Sequence, residues 1–403
     1  MFKEITIIGL GFMGASLAGA LKSKKSDIII NGFDINQKNI DFCLDNKFIN
    51  KGIKINCGYC SNNSENKLAD NNSINFNTGI NIININDDIN RNRLNKNINN
   101  FDLNYLPAGY NPLKSDIAIL CIPPKVILKF LYDNKNKNFL AKFSLITDIG
   151  SIKEEIISAS KKNNLKNFIG SHPMCGSDKS GAENADINMF QGKTCIVINK
   201  KCNDTTINRI NSKDNLNNLN KTDCNCADNS VNYEKITSNN YSNDLTDSEK
   251  IAPNDYDNNS GNYYSGNSAD IEKISSFWKI LGMEVIYADA DFHDYIVGYS
   301  SHLPHIVSFC LSKTVLNIVT ANANLPLNSL KYISSGFKDT TRIASSSENI
   351  WADIFLLNKS NLISSLDNYI DNLNKFKVLL ENNDEDALKL LIAEISKQRK
   401  MLG

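Results

Sequence analysis

The sequence predicts an α/β domain followed by an all-α domain. Over the first 200 residues, short runs of β-branched and other apolar residues alternate with segments of helical spacing. That alternation is typical of a parallel sheet with helices on both faces. From about residue 289 onward the strand-like runs stop, and apolar residues recur at three- and four-residue steps. At 403 residues the chain is long enough for two domains with hydrophobic cores.

The predicted strands are apolar runs of ordinary strand length. They span residues 4–8, 27–33, 115–122, 144–148, 167–170, 195–198 and 283–287. Helical spacing predicts helices over 14–22 and 271–281, with Asp291 as the N-cap that opens the helical domain. One apolar stripe in that domain consists of Leu362, Leu366, Tyr369, Leu373, Phe376 and Leu380. Such long apolar faces predict a homodimer formed through the helical domain.

Two segments, at about 56–110 and 201–268, are rich in Asn, Ser and Asp and predict insertions without a core of their own. The Ile-Asn alternation at 80–85 favours a short edge strand within the first. We therefore predict a nucleotide-binding domain over 1–200, an insertion over 201–268, the last helix and strand of the first domain over 269–288, and a helical domain over 289–403. Cys57 and Cys60 in one insertion could form a zinc site with Cys224 and Cys226 in the other, but the spacing of the second pair is atypical, so no metal is predicted.

The charge balance excludes several classes of partner. Lys and Arg together number 44, as do Asp and Glu, so no net field attracts nucleic acid or a membrane surface. No segment has the length and apolarity of a membrane span. The amino-terminal residues resemble a signal peptide, but Glu4 and three glycines argue against one. We expect a cytoplasmic protein with reduced cysteines and a small-molecule substrate.

A glycine motif follows the first predicted strand. Gly9, Gly11 and Gly14 form a G-x-G-x-x-G pattern that includes Phe12 and Met13 and leads into a helix. In a Rossmann-type domain the first glycine permits a tight turn, the second lets the backbone approach a pyrophosphate, and the third allows close strand–helix packing. The helix N-terminus supplies N–H groups for the phosphates. The alternative is that these glycines serve strand–helix packing alone.

Asp34 ends the second predicted strand twenty residues after Gly14, where a carboxylate accepts hydrogen bonds from an adenosine ribose. It would repel a 2′-phosphate, and no arginine follows it, so NAD is favoured over NADP. Ile122 and Pro123 end a later strand at the same sheet edge and are predicted to line the nicotinamide side. A strand-terminating Pro-Pro explains them almost as well. Gly150, beyond the next strand, is assigned to the same cofactor site.

The segment GSHPMCGSDKSG, residues 170–181, places His172 among small residues. His172 could fill a turn, ligate a metal or act as a base, and a metal is disfavoured because no other ligand lies at suitable spacing. Ser151 precedes a helical pattern, and a capping box with Glu154 is its favoured interpretation. Cys175 lies near His172, but nothing else in the sequence indicates an acyl-transfer site, so a thiol nucleophile is disfavoured.

A set of motifs resembles the prephenate/arogenate dehydrogenase family of tyrosine biosynthesis. The motifs are GLGFMG, DIGSIK, SHPMCGS, HDYIVGYSSHLPH, GFKDTTRIA and IWADI, together with Asp34. They occur in the family's order and cover nearly all of the chain outside the two insertions. The resemblance implies oxidative decarboxylation of prephenate to 4-hydroxyphenylpyruvate with NAD, or of arogenate to tyrosine.

The resemblance also implies roles at the reacting ring. His172 matches the histidine that accepts the proton of the ring hydroxyl, and its ordinary pKa suits that task. Ser151 matches the serine that orients the same hydroxyl. Arg342 matches the arginine that binds a substrate carboxylate. His293 and His302 are predicted to have structural roles near helix starts.

Five further residues are assigned to substrate binding by the resemblance. His305 matches a histidine near the substrate's side chain. Asp339 and Trp351 resemble residues that approach the site across the dimer interface, although a core or interface aromatic is the simpler interpretation of Trp351 alone. Ser177 and Gly336 complete the predicted set.

Two rival functions remain. A β-hydroxyacid dehydrogenase also begins with a GLGxMG motif, but it uses a lysine-based catalytic motif and needs neither His172 nor Arg342. A non-enzymatic NAD-binding sensor would be expected to have lost catalytic groups, whereas Ser151, His172 and Arg342 are all present.

Overall fold

The computed structural model describes residues 2–57, 101–102, 115–177, 179–199, 268–321 and 329–402. Within the predicted insertion at 56–110, only residues 56–57 and 101–102 are described, and they pair as a short antiparallel ladder. The predicted edge strand at 80–85 and the insertion predicted at 201–268 lie outside the described residues, except for Ser268, which begins a helix.

The described strands are β1 (Glu4–Ile8), β2 (Ile29–Asp34), β3 (Lys51–Lys54), β4 (Asn56–Cys57), β5 (Phe101–Asp102), β6 (Ile117–Leu120), β7 (Ile146–Asp148), β8 (Phe168–Pro173), β9 (Thr194–Ile198) and β10 (Glu284–Ala288). The helices of the first domain are α1 (Phe12–Lys24), α2 (Gln37–Asp45), α3 (Pro124–Tyr132), α4 (Asn134–Leu140), α5 (Glu154–Lys162) and α6 (Ser268–Ile280). The helices that follow are α7 (Ala290–Val297), α8 (Leu303–Ala321), α9 (Ser335–Thr341), α10 (Glu348–Leu357), α11 (Lys359–Glu381) and α12 (Glu385–Lys400). An α/β domain followed by helices alone confirms the predicted fold class.

Eight strands form one sheet in the order β10-β9-β8-β7-β6-β1-β2-β3. All neighbouring pairs are parallel except β8 and β9, which are antiparallel. The sheet is therefore largely parallel, as predicted, with this one antiparallel pair as the exception. The described residues between the two strands contain only the short 3-10 turn Ala182–Asn184 in place of a crossover helix, so the chain returns in the opposite direction. The crossover through α6 makes β10 parallel to β9 again.

Each face of the sheet has its own core. Successive residues of a strand point to opposite faces, so Ile5 and Ile7 pack with Trp278 on one side, while Ile8 packs with Phe130 on the other. All five are at most 1% exposed. Burying a large apolar side chain contributes roughly 1.5–3 kcal/mol, so these two layers hold the sheet that presents the site.

The first helix of the helical domain has its N-cap two residues earlier than predicted. Asp289, and not Asp291, is the N-cap of α7, because its carboxylate accepts the Phe292 N–H at 2.7 Å. Asp291 lies in the first turn of the helix instead. A five-residue π-helical turn, Gly298–His302, then carries the chain from α7 into α8.

The long helices α11 and α12 bury few of their apolar side chains within one chain. In the predicted stripe on α11, Leu362 is buried, but Leu373 and Leu380 are 50% and 63% exposed. On α12, Leu390 is 71% exposed. Among the described helices, none combines the length and the apolarity that crossing a membrane requires.

Candidate active site

The glycine loop between β1 and α1 is shaped by close backbone contacts. Gly9 has φ +95°, and a Cβ there would lie 2.3 Å from the Cys121 carbonyl oxygen. A Cβ on Gly14 would lie 1.8 Å from the Gly9 carbonyl oxygen. Only glycine fits either position. Around a Cβ built on Gly11, by contrast, no atom of the described residues lies within 4 Å, which leaves bare backbone beside open space.

That open space adjoins the start of α1. Gly11 is the N-cap of this helix, and among the described residues no side chain caps it and its first turn holds no acidic residue. The free N–H groups and the positive end of the helix dipole suit an anionic group. The loop therefore fits the pyrophosphate of a dinucleotide.

Asp34 holds this loop from the end of β2 and is only 7% exposed. Its Oδ2 accepts the Leu10 N–H at 2.6 Å, and its Oδ1 accepts the Asn36 N–H at 2.7 Å. A carboxylate has about four acceptor sites. Asp34 can thus brace the glycine loop and still accept a hydrogen bond from a ribose hydroxyl.

The other predicted cofactor residues lie at the carboxyl ends of neighbouring strands. Ile122 packs against Gly9, where an added Cβ would come within 2.7 Å of the isoleucine side chain. Pro123 precedes α3 as its N-cap, and the Gly150 N–H donates to Asp148 Oδ2 at 2.9 Å. Ligands of open α/β sheets bind in the crevice at these strand ends.

His172 lies on β8 at the same edge and is 9% exposed. Its Nδ1 is 2.8 Å from Nε2 of His293, and Nδ1 of His293 is 2.7 Å from Oδ1 of Asp294. The two rings meet edge to face, with centroids 5.0 Å apart. His293, which the sequence assigned to a structural role at a helix start, therefore contacts the predicted catalytic histidine directly.

Asp294 also caps α5, which begins at Glu154. Its carboxylate accepts the Lys153 N–H at 2.8 Å and the Glu154 N–H at 2.9 Å. The expected capping role of Ser151 is wrong, because the N-cap position is Lys153 and α7 supplies the capping carboxylate. The Ser151 hydroxyl has no hydrogen-bond partner among the described residues, which leaves it available to a ligand.

A buried ion pair lies beneath His172. The ammonium of Lys153 pairs with Asp148 and donates to the Ser171 carbonyl at 2.9 Å, and neither charged side chain is exposed to solvent. Burial raises the pKa of Asp148, while the lysine charge opposes that rise. The lysine of the DIGSIK motif had no predicted role, and the sequence marks it only as a basic residue five positions after the acidic end of an apolar strand.

The environment keeps His172 neutral. Burial lowers its pKa well below the ordinary value of 6.5, and the neighbouring His293 and Lys153 lower it further. Burial likewise lowers the pKa of His293. A neutral imidazole at physiological pH is able to accept a proton.

Contacts continue from Asp294 to other parts of the helical domain. The side-chain amide of Asn358 donates to the Asp294 carbonyl at 2.7 Å and lies 3.0 Å from Nδ1 of His302. His302 is fully buried, and burial lowers its pKa to about 4. Its ring approaches Trp351 edge to face at 6.0 Å.

His305 and Arg342 lie at the end of this chain of contacts. His305 stacks on Trp351 with ring centroids 3.4 Å apart, and its Nδ1 donates to the Ser301 carbonyl at 2.9 Å. Arg342 is close enough to lower the pKa of His305, after the larger effect of burial. All four histidines of the chain thus belong to one cluster.

Of the remaining predicted residues, only Trp351 makes a ring contact with this cluster. Ser177 and Phe12 line a cavity of about 330 Å³ beside the glycine loop. Gly336 and Asp339 are exposed on α9. Trp351, expected to act across a dimer interface, contacts His305 of its own chain. Among the described residues no group of three or more His, Cys, Asp or Glu side chains is arranged to hold a metal ion.

Two family models match the chain. The nucleotide-binding domain of prephenate dehydrogenase matches residues 79–221, and the dimerization domain of prephenate dehydrogenase matches residues 289–394. Together they span more than half of the sequence.

Individual relatives agree with these models. A cyclohexadienyl dehydrogenase of Zymomonas mobilis is 30% identical over 132 residues, 33% of this chain and 44% of that protein. A prephenate dehydrogenase of Lactococcus lactis is 24% identical over 293 residues, 72% of this chain and 61% of that protein. The chain thus spans about half of the length of these two curated relatives.

A solved structure shares the fold. The prephenate dehydrogenase of Aquifex aeolicus, in complex with hydroxyphenyl propionate and NAD+, superposes with a TM-score of 0.62 at 22% identity, over 100% of this chain and 99% of that one. The models, the relatives and the fold agree with the motifs in the sequence, and the chain belongs to the prephenate/arogenate dehydrogenase family.

Proposed function

We propose that the protein is an NAD-dependent dehydrogenase that oxidatively decarboxylates prephenate to 4-hydroxyphenylpyruvate. The observation that carries this proposal is a buried, neutral His172 at the carboxyl edge of the sheet, between the glycine loop and the helical domain that bears Arg342. A base in that position can remove a hydroxyl proton while a hydride leaves the adjoining carbon.

The cofactor site supports NAD. The bare backbone at Gly11 and the uncapped start of α1 fit a pyrophosphate, and Asp34 fits an unmodified ribose. When bound, NAD supplies the hydride acceptor. The chain's own task is to hold the ring with its hydroxyl toward His172 and the reacting carbon toward the strand ends.

The proposed reaction requires only two side chains at the ring hydroxyl. Nε2 of His172 accepts the proton of the ring hydroxyl, and the Ser151 hydroxyl orients that oxygen. The hydride leaves the carbon that bears the oxygen, the bond to the ring carboxylate breaks to release CO2, and its electron pair enters the ring, which becomes aromatic. Return of the proton from His172 to the product or solvent restores the base.

The helical domain would bind the substrate's second carboxylate. Arg342 has a planar guanidinium that pairs with both carboxylate oxygens, and it lies near His305, whose ring is held by the stack on Trp351. His305 donates through Nδ1 to a backbone carbonyl, so its other nitrogen is available to a ligand.

Arogenate is the alternative substrate, because it shares the reacting ring and differs only in bearing an amino group where prephenate has a keto group. We favour prephenate because two of the curated relatives are prephenate dehydrogenases, while the third is a cyclohexadienyl dehydrogenase. A β-hydroxyacid dehydrogenase is disfavoured, because its reaction would not require His172 or Arg342.

The purified protein should be assayed with prephenate and with arogenate, each with NAD and with NADP, by following formation of the reduced nicotinamide. We expect turnover to be fastest with prephenate and NAD. Faster turnover with arogenate would assign the alternative substrate, and oxidation of 3-hydroxyisobutyrate without either cyclohexadienol would overturn the proposed reaction class.

We also infer that the working enzyme is a homodimer joined through the helical domain. The dimerization-domain model matches residues 289–394, and the apolar side chains of Leu380 and Leu390 remain well exposed in a single chain. Isolated monomers seldom expose such long apolar faces.

A further inference from the structure

His172 belongs to a network of three buried side chains. His293 and Asp294 are at most 1% exposed, and His172 is 9% exposed. The chain runs from Nδ1 of His172 to Nε2 of His293 at 2.8 Å, and from Nδ1 of His293 to Oδ1 of Asp294 at 2.7 Å. The proton on each nitrogen follows from the donors and acceptors around them.

The carboxylate at the end of the network, that of Asp294, accepts hydrogen bonds from two backbone N–H groups. Oδ1 of Asp294 accepts the Lys153 N–H, and Oδ2 accepts the Glu154 N–H. The N-terminal end of α5 places a positive dipole on the carboxylate, and the Lys153 ammonium lies nearby. Burial raises the pKa of Asp294, whereas the two backbone N–H groups and the Lys153 ammonium oppose that rise. With two N–H donors already held by its oxygens, the carboxylate is placed as an acceptor of hydrogen bonds, which is the role of the ionised form.

An ionised Asp294 fixes every proton up to His172. Nδ1 of His293 must carry the proton that it donates to Asp294. Because a neutral imidazole carries one proton, Nε2 of His293 is then an acceptor, and Nδ1 of His172 must carry the proton between the rings. Nε2 of His172 is left without a proton.

The opposite arrangement would disable the base. It requires Asp294 to donate a proton to His293, and His293 to donate to His172. His172 would then carry its proton on Nε2 and could not accept one from a substrate hydroxyl. The acceptor geometry around Asp294 disfavours this arrangement.

We propose, on the basis of the function proposed above, that His293 and Asp294 are positioning residues that hold His172 in the tautomer with Nε2 free for the substrate hydroxyl. When Nε2 accepts that proton, the imidazolium donates through Nδ1 to His293, and the Asp294 carboxylate lies one ring away to oppose the new charge. In Ser-His-Asp triads a buried carboxylate likewise holds the histidine base in its tautomer and stabilises the imidazolium.

Several other titratable groups face this network. Lys153 and Glu154 lie at the start of α5, and Asp148 at the end of β7. His302 faces it from the π-helical turn, and Cys195 from β9. Since none of these is removed by a change at His293, a variant at that position isolates the effect of the network.

Two substitutions at one position provide the test. His293→Phe keeps a ring of similar size but removes the acceptor for Nδ1–H of His172. His293→Gln restores it, because the amide can donate to Asp294 while its oxygen accepts from His172. Asp289→Ala is the matched control, since it removes the N-cap of the same helix without touching the network.

Nitrogen-15 NMR of histidine-labelled protein at neutral pH reports the tautomer of His172 without any substrate. We expect a protonated Nδ1 and a bare Nε2 in the wild type, in His293→Gln and in Asp289→Ala, and a shift toward protonated Nε2 in His293→Phe. The same His172 signals in wild type and His293→Phe would overturn the proposal.

Kinetics supply the second measurement. In His293→Phe we expect kcat to fall by about 10²–10³-fold, the lower part of the range for a general base, with KM within about twofold. His293→Gln should recover to within about tenfold of the wild type, and Asp289→Ala should keep its kcat while unfolding more readily. An unchanged kcat in His293→Phe would contradict the proposal.

Failure of the proposed function can be distinguished from failure of this proposal. A protein that shows the expected NMR signals but oxidises no cyclohexadienol would overturn the proposed function, and the positioning roles of His293 and Asp294 would still hold.

Discussion

Arg342 is the residue best placed to test carboxylate binding. It lies near His305 at the end of the histidine cluster, on the 3-10 turn that follows α9. Removing a charge-assisted pair costs about 1.5–3 kcal/mol, so Arg342→Ala should raise KM by roughly tenfold to a hundredfold. The KM of Arg342→Lys should lie between those of the wild type and Arg342→Ala, because lysine keeps the charge but lacks the planar guanidinium. Unchanged saturation curves in Arg342→Ala would show that another group binds the carboxylate.

Some residues of the candidate site could be placed together from the sequence, and others could not. His172 and Ser151 follow predicted strands whose carboxyl ends meet at one edge, so their proximity could be expected from topology. His293 and Asp294 are 121 and 141 residues from their partners His172 and Lys153. Nothing in local spacing predicts such pairs. The capping role expected for Ser151 failed because this distant carboxylate supplies the cap.

At the scale of elements, Asp294 connects α7 to the start of α5. It accepts the backbone N–H of buried Lys153 and the partly buried backbone N–H of Glu154. Asp294→Ala should therefore lower the free energy of unfolding by about 2–3 kcal/mol, the sum of a lost cap and an unsatisfied buried donor. Asp289→Ala, which removes a single capping bond, should cost about 1 kcal/mol. Urea unfolding of both variants measures the difference, and equal losses would contradict the double role of Asp294.

The sheet shows where element-level prediction succeeds and where it fails. Apolar runs located seven strands of the main sheet to within a few residues, because buried strands have few polar positions. The direction of β9 could not be read in the same way. It depends on whether the chain between β8 and β9 forms a crossover helix, and its many small and polar residues form only a 3-10 turn there.

At the scale of the whole molecule, the buried histidines make the fold sensitive to acid. The folded-state pKa values of His172, His293 and His302 are all lowered, so the unfolded chain binds more protons below its histidine pKa. The free energy of unfolding should fall as the pH drops from about 6.5 to 5.5, by up to about 1.4 kcal/mol per pH unit for each buried histidine. The raised pKa of Asp294 acts in the opposite direction. Urea midpoints across this range that do not fall would contradict neutral histidines in the folded state.

The exposed faces of α11 and α12 predict how the molecule assembles. Leu380→Glu places a charge on a side chain that is 63% exposed in one chain, and we expect it to weaken the dimer strongly. Asn374→Glu adds the same charge at an exposed polar position of α11 and should leave assembly unchanged. Sedimentation velocity over a range of concentrations measures both. A wild-type protein that remains monomeric at high concentration would contradict the inferred homodimer.

The central claim is that His172 is the base for oxidative decarboxylation of a cyclohexadienol. The most direct measurement compares the wild type with His172→Asn for NADH and CO2 released from prephenate, alongside a titration of NAD binding. The account predicts equal amounts of NADH and CO2 from the wild type, and in the variant a loss of turnover of about 10²–10⁴-fold with NAD binding retained. Near-normal turnover by His172→Asn would contradict it.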